Sequence, residues 1–232
     1  MYDVIRIFDV DYIFFDLAFL AIFLFLLVKY KKKIPLLAFF MGGLLINFFL
    51  DWGIWLHSGL REIILPDNFV GGASLFFIWF SLSYGVEYAY VFLMFEKNNR
   101  KKLKWTLFVF LSWLIVAFCS QLITINDASI TTIRHMSDLR LLRIIIVLIG
   151  YSLLFVFKYN WRKIAYLFFV GFLIHFMMEF SLFITNIRPD SFLILLENSL
   201  IEFNMGVPFF YLVYDKLIKK KLNKVPATQP TP

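Results

Sequence analysis

The chain has 232 residues, 61% of them apolar and 17% charged, with 31 Phe, 11 Tyr and 6 Trp. Soluble domains are nearer roughly 45–50% apolar and about 25% charged, and one compact domain of this length cannot hide so much apolar surface from water. A cytosolic enzyme, a disulfide-stapled secreted module and a disordered regulator are excluded, and the single Cys119 allows neither an internal disulfide nor a thiolate metal site.

The first ten residues carry Asp3, Arg6 and Asp9, and the apolar stretch after them is too long for a signal-peptide core, so it reads as a retained span. About 20 apolar residues cross the hydrocarbon of a bilayer as a helix. Such runs occur at 12–28, 34–56, 69–95, 105–124, 141–157, 164–186 and 192–214. The sequence therefore predicts an all-α, polytopic membrane protein: one seven-helix domain over 1–224 whose short connections make consecutive helices antiparallel neighbours. The tail 225–232 (VPATQPTP) reads as disordered from its Pro and Thr content.

Charge is distributed by side. Lys29, Lys31, Lys32 and Lys33 follow the first span. Lys97, Arg100, Lys101, Lys102 and Lys104 follow the third, and Lys158, Arg162 and Lys163 the fifth. Lys216, Lys219, Lys220, Lys221 and Lys224 follow the seventh. These are 17 of the 23 basic residues and include every Lys; the opposite side has only Arg6, Arg61, Arg134, Arg140, Arg143 and Arg188. By the positive-inside rule the N-terminus is outside and the C-terminus cytoplasmic, in the cell membrane if the host is prokaryotic. The net charge of +7 is then a topology signal, reinforced by anionic lipid headgroups, and nucleic acid is not an expected partner.

Landmarks recur along the chain. Gly43, Leu45, Ile46, Asn47, Phe48 and Asp51 in span two match Gly171, Leu173, Ile174, His175, Phe176 and Glu179 in span six, at a constant offset of 128. Lys29-Tyr30 and Lys158-Tyr159 close spans one and five. Pro66-Asp67 and Pro189-Asp190 precede spans three and seven, which carry Gly85-Val86 and Gly206-Val207. The pattern predicts a 3+1+3 parallel repeat, with repeat one at about 11–97, a connector helix at about 105–124 and repeat two at about 138–216. Parallel repeats place functional sites at their interface, so Asn47/Asp51 and His175/Glu179, each stacked at i, i+4 on one helix face, are expected to face one cavity.

An acid inside a membrane is costly and points to function. Asp51, Glu179, Glu197 and Glu202 fall in the half of the bundle away from the lysines, with His175, Asn47, Asn198 and Asn204 nearby. Glu87 lies in the other half, and Arg143, at the entrance of span five, is placed to neutralise one acid. Desolvation and like-charge neighbours raise carboxyl pKa values, which suits acid catalysis or a proton-coupled transport step. No HExxH pairs the histidines for a metal, no span has a central Lys for a retinal Schiff base, and neither Ser83 nor Cys119 has a His partner in sequence. No metal or cofactor is expected.

Three segments resemble the small seven-helix integral-membrane terpene cyclases of meroterpenoid pathways. Pro35-Leu36-Leu37 leading to Asn47-x3-Asp51 looks like that family's second helix, and Trp79-x2-Leu82-x2-Gly85-Val86-x-Tyr88 is similar to its third. Glu202-x3-Gly206-Val207-x-Phe209-Phe210-Tyr211 resembles its last. The resemblance implies that Asp51 and Glu202 are the catalytic acids, protonating a terminal epoxide or alkene of a lipid-soluble isoprenoid-like substrate. The carbocation then cyclises in an aromatic pocket without a metal. From the clustering of polar and aromatic groups, Asn47, His175, Glu179, Glu197, Asn198, Trp55 and Trp79 would bind substrate, the His175/Glu179 pair having no counterpart in the family's motifs. Here Asp stands for Glu in span two, Glu for Asp in span seven, and Leu50 for the Trp before the first acid. A small 3+1+3 transporter, similar to the SWEET family in span count and repeat, is the alternative, although spans one and five lack hinge prolines. A seven-helix sensor is the third reading.

Overall fold

The structure is a computed structural model that describes residues 3–96, 99–126, 128–135, 139–189 and 191–219. The tail 225–232, Lys97, Asp190, Lys220, Lys221 and Lys224 lie outside the described residues.

Among the described residues the chain is mostly helical, with seven helices. In order they are α1 (Val10–Val28), α2 (Lys33–Leu56), α3 (Gly72–Phe95), α4 (Lys102–Leu122), α5 (Arg140–Val156), α6 (Trp161–Ile184) and α7 (Phe192–Ile218). All but α5 are long and apolar enough to cross a membrane. At 17 residues, α5 is about 26 Å long, a little short of the roughly 30 Å hydrocarbon. Helix starts follow local chemistry. Pro35 sits in the first turn of α2, where its missing N–H costs no helical bond. Asn160 caps α6 by accepting from the Lys163 N–H at 2.8 Å, and Ser191 caps α7 by accepting from the Ile194 N–H at 3.3 Å.

The purely helical expectation needs one correction. The segment before α1 and two connections pair as an antiparallel sheet of β1 (Asp3–Asp9), β2 (Arg61–Ile64) and β3 (Ser129–His135), in the order β1-β3-β2. All three segments lie at the end of the helices away from the lysines. Their sequences alternate with period two: Val4, Arg6 and Phe8 are buried on β1, as are Ile130, Thr132 and Arg134 on β3. Pairing supplies partners for backbone groups that would otherwise be buried unbonded. In register, Arg134 lies opposite Val4 on one side and Arg61 on the other, and Arg6 lies opposite Thr132. On the outer face His135 hydrogen-bonds Asp3 at 2.9 Å and Glu62 at 3.2 Å, so it fastens all three strands, and these bonds raise its pKa above the ordinary histidine value.

α3 forms the centre of the bundle: nearly every residue from Tyr84 to Phe95 is buried. It packs most closely against α2, because Gly43 leaves room for the Tyr88 ring (a Cβ there would stand 2.6 Å from Tyr88 Cγ) and Gly85 leaves room for Phe40. Aromatic side chains fill the core edge to face, as in Phe39–Phe92 at 5.0 Å and Tyr88–Phe210 at 4.5 Å. Large apolar residues such as Ile34, Phe49, Leu111, Ile115, Leu148 and Val156 stay exposed along the outside of the helices.

Two helices depart from α geometry. α2 widens into a π-helical stretch over Phe49–Leu56, which contains Asp51 and Trp55. α7 tightens into a 3-10 turn at Phe203–Met205, just after Glu202, and resumes at Val207. Pro208 has no N–H for the Asn204 carbonyl, which accounts for the break. The Asn204 side chain braces it, accepting from Tyr151 Oη at 2.6 Å and donating to the Leu200 carbonyl at 2.9 Å.

Candidate functional site

Each strand sends one arginine toward the helices, and each arginine meets a carboxylate. Arg6 Nη2 is 2.7 Å from Glu179 Oε1, Arg61 Nη2 is 2.9 Å from Asp51 Oδ1, and Arg134 Nη1 is 3.1 Å from Glu202 Oε2. Two further arginines complete the set: Arg143 Nη1 on α5 reaches Glu202 Oε1 at 2.6 Å, and Arg188, after α6, pairs with Glu179 Oε2. All eight side chains are at most 8% exposed. Burial pulls the Arg61 guanidinium below its ordinary pKa, and Asp51 pulls it back up. Removing one member of such a pair strands a charge at a cost of about 3–5 kcal/mol.

Trp55 is the hub of this layer. The guanidinium carbons of Arg61, Arg134 and Arg143 lie 5.6, 5.7 and 5.5 Å from its ring, within cation–π range. The π-helical stretch brings Asp51 and Trp55 together to meet the sheet, a use of irregular helix often seen at functional sites.

Below this layer lies a cavity of about 400 Å³ between α2, α3, α5, α6 and α7. Its polar wall carries Glu202, Arg134, Arg143, His175, Asn47 and the phenols of Tyr84 and Tyr88. The rest is apolar, with Leu142 and Ile146 on one side and Phe203, Phe209 and Phe210 on the other. Its size falls within the range of small-molecule sites, roughly 300–1,000 Å³.

The sequence-predicted residues divide around this cavity. Asn47, Trp55, His175 and Glu202 line it. Asp51 and Glu179 are buried behind the wall in their arginine pairs. Glu197 is not in the lining and pairs instead with Arg140 Nε at 2.5 Å. Asn198 is buried outside the wall. Trp79 also lies outside it, donating to Asp16 Oδ2 at 3.0 Å beside a separate void of about 30 Å³. His175 is fully inside, its Nδ1 3.4 Å from Glu87 and its Nε2 3.3 Å from Glu179. These are contacts rather than tight hydrogen bonds, and they set the imidazole between two carboxyls. Glu87 thus joins the same network instead of a separate one.

Sequence reasoning missed Arg134, Tyr84 and Tyr88 as wall residues, and Asp16 as a buried acid held by Trp79 and Ser83. One signal was present for the arginines. The lysine-free side has Arg and nothing else, as buried pairing requires: a guanidinium is planar, forked and less strongly hydrated than an ammonium. No known protein family, curated protein or solved structure matches the chain.

Proposed function

We propose that the chain is a seven-span integral-membrane enzyme that acts on a hydrophobic, isoprenoid-like substrate within the 400 Å³ cavity, by proton transfer at its polar end. The carrying observation is the cavity itself: a largely apolar, aromatic chamber whose lining includes an acid, an imidazole and two tyrosines. The exposed apolar rows on the helices suit lipid contact, and the exposed lysines suit the cytoplasmic face, which puts the sheet outside. A 3+1+3 arrangement is supported by Asn47 and His175, equivalent in the repeat landmarks, standing in the same wall.

The two acids take different roles in this reading. Glu202 is the catalytic carboxyl because it alone of the pair reaches the cavity. Both its oxygens accept from guanidinium groups, which keep it ionised, so it is suited to partner a developing cation and to take a proton only from a species as acidic as a carbocation. His175, set between Glu87 and Glu179, is placed to pass a proton to the substrate side. Asp51 is a positioning residue that holds Arg61 against Trp55. Exclusion of bulk water protects a carbocation, and the Phe203, Phe209 and Phe210 rings offer it cation–π contacts worth about 0.5–2 kcal/mol each.

The test is conversion of a polyene or epoxide isoprenoid by membranes containing the chain. Glu202→Gln should lower turnover by about 10²–10⁴-fold, the range of a lost acid–base group, and Asp51→Asn by less. Full conversion by both variants would sink the reading. The second reading, a transporter, is favoured by the shared wall position of Asn47 and His175. It predicts counterflow of a polar solute in proteoliposomes that is lost on mutating either residue.

A further inference from the structure

At the lysine end an open groove of about 370 Å³ lies between the end of α1 and the start of α4. Lys29 lines it from α1, and Lys101 and Lys104 from α4; all three are exposed. Leu26 stands one turn before Lys29, and Phe108 one turn beyond Lys104, with Trp105 between. One turn is about 5.4 Å, so along both helices the lining changes from cationic to apolar toward the middle of the bundle. The apolar part is built rather than incidental. The Trp105 ring packs on Phe23 at 6.1 Å, Tyr30 at 6.4 Å and Phe108 at 6.0 Å. Neighbouring lysines are engaged within the protein: Lys32 pairs with Glu96 at 2.8 Å, and Lys102 donates to the Met94 carbonyl at 2.6 Å and to Tyr166 Oη at 2.8 Å. The three groove ammonium groups, by contrast, have no hydrogen bond or ion pair with a described residue. No carboxylate lines the groove, and Glu96, the acid bonded to Tyr30, is also held by Lys32. α4 begins without a side-chain cap, so the positive end of its dipole adds to the same field.

We infer that this groove is a binding site for one anionic phospholipid. Its phosphate accepts from Lys29, Lys101 and Lys104, and its glycerol and first acyl methylenes lie against Trp105, Leu26 and Phe108. Charge complementarity selects the headgroup, because three unpaired ammonium groups and no acid face it. The order of the lining selects a lipid: cations at the helix ends, an indole at the interfacial level that Trp prefers, then apolar side chains. Exposed Ile22 and Phe25 on α1 and Leu107 and Leu111 on α4 continue that apolar surface toward the bilayer centre, where acyl chains run. A water-soluble polyanion would meet the lysines and leave Leu26 and Phe108 uncovered. The groove lies at the end opposite the arginine layer, and the inference does not depend on the chemistry of the 400 Å³ cavity.

The experiment titrates the full chain in nonionic detergent micelles with phosphatidylglycerol or phosphatidylcholine of identical acyl chains and counts bound lipid by native mass spectrometry. The first phosphatidylglycerol should bind at least about tenfold more tightly than phosphatidylcholine. Lys29→Gln, Lys101→Gln and Lys104→Gln together should weaken it by at least about tenfold. Lys158→Gln, Arg162→Gln and Lys216→Gln together remove the same charge from the same end outside the groove, and should change it by less than about twofold. Equal losses in the two triple variants overturn the groove in favour of diffuse surface attraction. Equal affinity of the wild-type chain for the two lipids, a result that no variant's folding affects, overturns the anionic headgroup. Displacement of phosphatidylglycerol by millimolar glycerol phosphate, at matched ionic strength, overturns the lipid in favour of a small-anion site.

Discussion

At one end of the helices Lys31, Lys33, Lys101 and Lys104 stand exposed, while at the other Arg6, Arg61, Arg134, Arg143 and Arg188 are buried against Glu179, Asp51 and Glu202. Both ends are basic, and the difference lies in what each cation has to do. A lysine ammonium is a compact, strongly hydrated charge that belongs in water or against lipid headgroups. A guanidinium tolerates desolvation when its fork meets a carboxylate. The lysine end thus accepts changes of residue as long as charge persists, whereas at the sheet end geometry decides.

The widest separation between the ends should come from breaking one pair. Arg61→Met strands Asp51 and should lower stability by about 3–5 kcal/mol, and adding Asp51→Leu should restore most of it. Reversible denaturant unfolding in mixed micelles measures both; a loss under about 1 kcal/mol for the single variant would erase the distinction. Exchanging the two cations sharpens it. Arg143→Lys keeps the charge but loses the fork and the contact with Trp55, and should cost about 1–3 kcal/mol. Lys104→Arg should stay within about 0.5 kcal/mol, as exposed substitutions do. Next, Lys31→Gln with Lys33→Gln should leave unfolding unchanged and instead weaken adsorption to anionic vesicles, which flotation reads.

The smallest effect concerns His135, the only titrating clasp on the outer face of the sheet among the described residues. Its pKa is raised by hydrogen bonds to Asp3 and Glu62. Its stabilisation is therefore fully present below the unfolded value of about 6.5 and is lost as pH rises through the higher folded value. Amide exchange in β3 should be slower at pH 6 than at pH 8.5 after correction for intrinsic rates. His135→Gln should remove the difference, and its persistence in that variant would assign it elsewhere.

The helices were legible because a bilayer-length apolar run has few other uses; the predicted limits fall within about three or four residues of the observed ones, as for 34–56 against Lys33–Leu56. The sheet was not legible. DVIRIFD, REII and SITTIRH alternate correctly, but each is short, and pairing among three segments distant in sequence leaves no local trace. The acids stood out because carboxylates are rare in apolar runs. Their partners did not, since Arg6, Arg61 and Arg134 lie outside the apolar runs, where an arginine ordinarily faces water. Which acid reaches the cavity depended on the widened turn at Phe49–Leu56 and the break after Glu202, and only the latter is signalled, by Pro208.

The strand order also has a consequence for biosynthesis. β3 is the middle strand, yet it leaves the ribosome last of the three, after four helices have been made. Until then β1 and β2 have no neighbour to pair with, and Arg6 and Arg61 sit on unpaired backbone. Arg6 waits longer still, because Glu179 is synthesised near the end of α6. The arginine layer is therefore a closing step of assembly, in which the earliest residues of the chain are fastened by some of the latest. A nascent chain halted after α4 should expose both β1 and β2 to proteases that the finished protein resists.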